Sequence, residues 1–228
     1  IKKVENAGFA DCKHLNNVYF SGSEKQRQEI EIGEMDNFYF SSAFWHYNYD
    51  GINKFREKIF AVNGLTYQIN EDGVSCTLIK CKDISEGELT VPDTVNNYPV
   101  TKIGTKAFYE VTNLEKIVLP ERVEEIENYA FECCQNLETV ILPKKLKKIG
   151  KGAFWKAGAL KTINLPEDLK EIPEKAFYKC SGLRTIQLPS SIEKIGDSAF
   201  EECSDLSKIN FPEELTILGK RAFYGCLR

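Results

Sequence analysis

Cysteine and histidine are the side chains here whose chemistry depends most on placement, and the chain has eight of the first and two of the second. A thiolate can attack an electrophile or ligate a metal, and an imidazole can serve as its base. The spacing argues against both uses. Cys12, Cys134, Cys180, Cys203 and Cys226 each stand three residues after a phenylalanine, and Val111 and Ala157 fill the same place elsewhere. A place that accepts valine and alanine wants a small apolar group, which a buried free thiol provides. Cys180, Cys203 and Cys226 fall one repeat apart, so their spacing alone also allows a disulfide. Cys76 and Cys81, five apart on one expected strand, should face opposite sides. Neither they nor Cys133-Cys134 form a C-x-x-C metal signature. His14 and His46 have no nucleophile placed beside them by any motif. The carboxylates are spread along solvated faces, and no glycine loop for phosphate is present. The sequence therefore assigns no catalytic residue, no cofactor and no metal.

The elements that position these side chains follow from a fixed period. Ala107-Phe108, Ala130-Phe131, Ala153-Phe154, Ala176-Phe177, Ala199-Phe200 and Ala222-Phe223 recur every 23 residues. Leu119-Pro120, Leu142-Pro143, Leu165-Pro166, Leu188-Pro189 and Phe211-Pro212 keep the same beat. A period in the twenties marks a solenoid whose units bury their apolar side chains only by stacking. In the unit 160–179, Leu160, Ile163 and Leu165 predict a short strand, which Pro166 ends because it has no N–H for the ladder. Leu169 and Ile172 begin a second buried stretch. Gly104, Gly150, Gly196 and Gly219 share the next position, which calls for positive φ or close backbone approach; Glu127 and Pro173 stand there in the other two units. Glu125, Lys148, Glu171 and Lys194 alternate in sign down one outward column, as in-register parallel stacking requires.

The pattern L-x-x-I-x-L-P-x-x-L-x-x-I-G-x-x-A-F-x-x-C resembles the 23-residue, Treponema-type leucine-rich repeat of BspA-like bacterial surface proteins. The likeness covers roughly 89–228. It implies a repeat solenoid, mainly short parallel β-strands with turns and little helix, wound as a leucine-rich repeat right-handed superhelix. Residues 1–20 align with 192–211, with Gly8-Phe9 replacing Ala199-Phe200. The domain reading follows. Residues 1–50 are the last repeat and closing segment of an upstream array, with a capping box at Ser23-Glu24-Lys25-Gln26 and a strand over 43–49. A connector spans 51–64. A β-hairpin cap and the first strand of a second array span 65–105, with the turn at Asp72-Gly73 and a five-residue insertion between Pro92 and Ala107. The array proper is 106–228. A chain that starts and stops in mid-repeat reads as a fragment.

The net charge of −4 gives no basic stripe for nucleic acid, and no apolar run reaches 18 residues, so no membrane insertion is expected. What remains is surface. After each repeat phenylalanine come Tyr109, Glu132, Trp155, Tyr178, Glu201 and Tyr224; exposed aromatics favour interfaces, though these rings would equally cover core edges. The outward strand position reads Val118, Ile141, Asn164, Gln187 and Asn210. Trp155, Tyr178 and Tyr224 form one candidate binding row, and Asn164, Gln187 and Asn210 the other. The resemblance implies a non-enzymatic binding or adhesion scaffold at the cell surface or secreted, with an extracellular protein or glycan as partner. The alternative is an accessory repeat module of a larger surface enzyme.

Overall fold

A computed structural model describes residues 59–82, 84 and 87–226, together with the backbone of four short strands nearer the N-terminus. The chain divides into a unit Ile1–Arg56 and a unit Glu57–Arg228. In the first, Lys3–Val4 pairs in parallel with Glu31–Ile32, and Asn17–Tyr19 with Phe44–His46. The strand expected over 43–49 is thus present at Phe44–His46. The rest of the expected last repeat, with Cys12 and His14, and the capping box of the closing segment lie outside the described residues.

The second unit is a β-solenoid, and no described residue is helical. Each coil contributes a three-residue or two-residue strand to each of two walls. Lys116–Val118 pairs in parallel with Thr139–Ile141, and Thr162–Asn164 with Thr185–Gln187, every residue opposite the one 23 positions on. On the other wall Glu125–Ile126 pairs with Lys148–Ile149, and Glu171–Ile172 with Lys194–Ile195. The central residues Ile117, Val140, Ile163 and Ile186 are buried, as are Leu114, Leu137, Leu160 and Leu183. Fully burying such a side chain contributes about 1.5–3 kcal/mol. A third ladder runs along the ridge, where the Phe108 N–H donates to the Ala130 carbonyl at 2.8 Å and the same bond recurs down to Phe200 and Ala222. Inside it the phenylalanine rings stack nearly parallel: Phe108, Phe131, Phe154, Phe177, Phe200 and Phe223 are 5.0–5.3 Å apart, centre to centre.

The cap at the start of the solenoid is larger than the sequence suggests. Leu65–Ile69 and Cys76–Cys81 form the expected antiparallel hairpin. Part of the stretch assigned to a connector is a strand as well: Ile59–Val62 pairs antiparallel with Leu65–Ile69 through Asn63-Gly64, both at positive φ. Asn-Gly with two left-handed residues is the tight turn that matches strand twist. The expectation for Cys76 and Cys81 is corrected too. The hairpin register shifts between Thr66 and Tyr67, so one extra residue enters the second strand and restores Cys81 to the inner face. Both thiols are buried. The five-residue insertion forms its own hairpin, Thr94–Val95 against the start of Tyr98–Ile103, turned by Asn96 and Asn97 at φ 49° and 66°.

Two backbone features set the coil's shape. The residue before each Ala-Phe pair and the second residue after it are left-handed in every coil; examples are Lys175 at φ 57° and Lys179 at φ 60°. The shared glycines serve the other need, close approach: a Cβ on Gly196 would lie 2.5 Å from the Glu174 nitrogen, and one on Gly150 2.5 Å from that of Asn128. The cysteine column also gains a reason. The Sγ of Cys134, Cys180 and Cys203 donates at 3.0 Å to the carbonyls of Phe108, Phe154 and Phe177 in the preceding coil. Both walls are interrupted once, between the coil of Thr139–Ile141 and Lys148–Ile149 and that of Thr162–Asn164 and Glu171–Ile172. Lys147 and Lys170 meet there one repeat apart and turn away from each other, to Glu124 at 2.8 Å and Glu193 at 3.0 Å. Like charges directly opposite disfavour pairing. Nor does the alternating column pair throughout: Lys148 bonds Glu125, and Lys194 bonds Glu171. The ridge bridges the gap through Phe154 N–H to the Ala176 carbonyl.

Candidate binding faces

The left-handed turns on either side of each buried phenylalanine push the following side chain outward along the ridge. Tyr109 is 40% exposed and Tyr224 57%, whereas Trp155 and Tyr178 are half-buried. Trp155 and Tyr178 touch, with ring centres 4.9 Å apart. Tyr129, which the sequence reading does not single out, continues the strip at 6.0 Å from Trp155. Its signal was the position before Ala130, where the other coils hold Lys106, Gly152, Lys175, Ser198 and Arg221. Cations lie over several of these rings: Lys106 over Tyr109 at 4.7 Å, Lys175 over Trp155 at 5.3 Å and Arg221 over Tyr224 at 3.8 Å. The indole N–H of Trp155 is enclosed without a hydrogen-bond acceptor.

Tyr224 does not join that strip directly. Between it and Tyr178 stands Glu201, whose side chain is 7% exposed and is held by Arg221 at 2.5 Å from Nη2 and 3.1 Å from Nε. The hydrogen bonds from Arg221 and from Ser198 hold the Glu201 carboxyl down at about 2. The ridge therefore carries an aromatic patch, Tyr129-Trp155-Tyr178, and a separate stacked pair, Arg221-Tyr224.

The other candidate row lies on the wall of three-residue strands. Asn164 and Gln187 are exposed and directly opposite each other. Asn210 is placed differently. Its amide donates to the Leu188 carbonyl at 2.8 Å and accepts the Leu188 N–H at 2.7 Å, so the side chain stands in for the next rung of the ladder. Exposed Thr139, Thr162 and Thr185 flank the row, with Ile141 47% exposed beside it. Among the described residues no group of three or more histidine, cysteine or acidic side chains is placed to hold a metal ion. The thiols are poor nucleophiles as placed: burial pushes Cys134 up to about 12 and raises Cys180 and Cys203 strongly.

This geometry, a 23-residue coil with a phenylalanine ladder, meets its counterpart in known proteins. The BspA type leucine rich repeat region matches residues 101–228 in six copies. The chain belongs to the BspA-type leucine-rich repeat family. A leucine-rich repeat protein of Treponema pallidum is 26% identical with a TM-score of 0.59, over 75% of this chain and 90% of that one. A leucine-rich cell surface protein of Faecalibacterium prausnitzii is 26% identical with a TM-score of 0.58; 76% of this chain covers 54% of it, about half its length. A leucine-rich repeat protein of Eubacterium ventriosum shares the fold over 98% of this chain and 62% of its own, at 20% identity and a TM-score of 0.57. No curated protein matches the chain. BspA-type repeats suggest a protein-interaction scaffold, and leucine-rich repeat proteins of this kind are generally non-enzymatic.

Proposed function

We propose that this BspA-type array is a non-enzymatic binding module of a bacterial cell-surface or secreted protein, and that it engages a protein partner through its aromatic ridge. The observation that carries the reading is the contiguous Tyr129-Trp155-Tyr178 patch with lysines laid over it. Tryptophan, tyrosine and arginine dominate binding energy where rings pack around a contact centre. A rigid stack beneath them lowers the cost of ordering the surface. The cell-surface description of the Faecalibacterium relative supports the location.

The test compares two faces. Trp155→Ala with Tyr178→Ala removes the ridge patch, and Asn164→Ala with Gln187→Ala strips the sheet row. Asn210 is left alone because its amide completes the ladder, so its loss would weaken the fold. Both double variants should keep the circular dichroism of the parent chain. In surface plasmon resonance against a panel of purified extracellular proteins, the ridge variant should lose binding by at least about tenfold, with the sheet variant unchanged. Loss in the sheet variant alone would move the site to the wall. Equal binding by both would exclude both faces.

A further inference from the structure

A further cavity lies where the cap hairpin meets the first coils. It is an open groove of about 730 Å³ floored by the outer faces of Leu65–Ile69, Cys76–Cys81 and Tyr98–Ile103. Ligand clefts commonly span about 300–1,000 Å³. Its floor is built of hydroxyls and one amide. Asn70 donates to Ser75 at 2.6 Å and to Thr101 at 3.1 Å, and accepts from Thr77 at 2.6 Å. Thr77 is buried although its strand position faces outward, and so is Ser75 just before that strand. Among the described residues Asn70, Thr77 and Thr101 each keep an acceptor lone pair turned to no protein donor, since a hydroxyl or amide oxygen has two, whereas the Ser75 hydroxyl already accepts from both Asn70 and Thr101.

Three of the four charged groups of the groove, Asp72, Lys102 and Glu127, are already engaged. Burial alone would raise the Asp72 carboxyl, but the Ser75 hydroxyl at 2.6 Å and the N–H groups of Val74 and Ser75 outweigh it and lower it. Glu127 takes the N–H and hydroxyl of Thr105 at 2.9 and 2.8 Å, and Lys102 pairs with Glu125 at 3.0 Å. Besides the exposed Glu71 carboxylate, what stays open is neutral: the Gln68 amide has no hydrogen-bond partner among the described residues, and the floor offers preset hydroxyls. Ile69 and Ile79 add a small apolar patch of the kind a pyranose C–H face requires. Three lining carboxylates, Glu71, Asp72 and Glu127, against one lysine disfavour an anion.

We infer that this groove binds a neutral saccharide unit, held by hydrogen bonds to Gln68, Asn70 and the hydroxyls of Thr77 and Thr101. This site is separate from the ridge and does not rest on the ridge reading. The floor is fixed before the ligand arrives, so little order is lost on binding.

Ligand-observed NMR and calorimetry on the whole chain test it with three probes: a neutral β-linked N-acetylglucosamine trisaccharide, maltotriose and a sulfated heparin tetrasaccharide. At least one neutral sugar should bind with a Kd of about 1 mM or tighter, and the sulfated one more weakly. Gln68→Ala should weaken that binding by about tenfold and Gln68→Trp, which fills the groove, should abolish it. Trp155→Ala should leave it unchanged. No binding of either neutral sugar at about 10 mM overturns the proposal. So does binding that survives Gln68→Trp, or preference for the sulfated probe.

Discussion

Lys156 is exposed at φ 59°, and among the described residues no ion pair rewards the conformation. A left-handed non-glycine residue costs roughly 1–2 kcal/mol, partly offset by the greater freedom glycine has when unfolded. Lys156→Gly should therefore raise stability by about 0.5–1 kcal/mol in urea denaturation. Glu201 predicts a pH dependence. Its carboxyl lies at about 2 in the folded chain against an ordinary 4.5, so the folded state binds its proton less readily. The Arg221 and Ser198 contacts then stabilise fully above the ordinary value, and that contribution fades as pH falls from 4.5 towards 2. Melting temperatures over that window should show a shallower acid slope in Glu201→Gln than in the parent. The thiols allow a third check. Peptide mapping after alkylation under denaturing conditions should find Cys134, Cys180 and Cys203 reduced, and a Cys180–Cys203 disulfide would contradict the carbonyl-bonded thiols described above.

Phe177 occupies the middle of the ring stack, 5.3 Å from Phe154 and from Phe200. Phe177→Ala should cost about 3–5 kcal/mol by chemical denaturation. A change under about 1 kcal/mol would show that the stack is not a core. Units bond only to neighbours, and the walls already lack a rung between Thr139–Ile141 and Thr162–Asn164 and between Lys148–Ile149 and Glu171–Ile172, so the weakened array should unfold in two steps. Hydrogen exchange should place the divide at that gap. Much of this element-level order was legible: the Ala-Phe beat, the leucine columns and the Leu-Pro strand ends all recur in register. Three things were not. The left-handed residues are lysine, glutamate, tyrosine or cysteine more often than glycine, so composition does not mark them. The hairpin bulge that turns Cys81 inward depends on pairing across strands. The tie between Asn210 and Leu188 looks, in sequence, like one more polar member of an outward column. For the candidate faces, the spacing set Trp155 beside Tyr178 and Glu201 before Tyr224, but the clasp of Glu201 by Arg221 needed three-dimensional packing.

At the scale of the whole solenoid, every pairing described in the array between Lys116 and Leu218 joins residues 23 apart. Length is then a free variable in whole steps and a forbidden one in fractions. Excising 160–182 would bring Phe154 onto Phe200 and set Lys147 against Glu193 instead of Lys170, removing that like-charge meeting while setting Lys148 opposite Lys194. Gly196 would rest on Gly150, the same glycine-on-glycine approach that Gly219 already makes to Gly196. Such a shortened chain should fold and melt within a few degrees of the parent by calorimetry, while deleting only Ser181 should abolish cooperative melting, because every later side chain would turn to the wrong face. A gene built on this register can gain or lose a coil by unequal recombination in a single event. Its length can therefore change by whole coils between neighbouring generations, and each such event resets which charges face each other at the new junction.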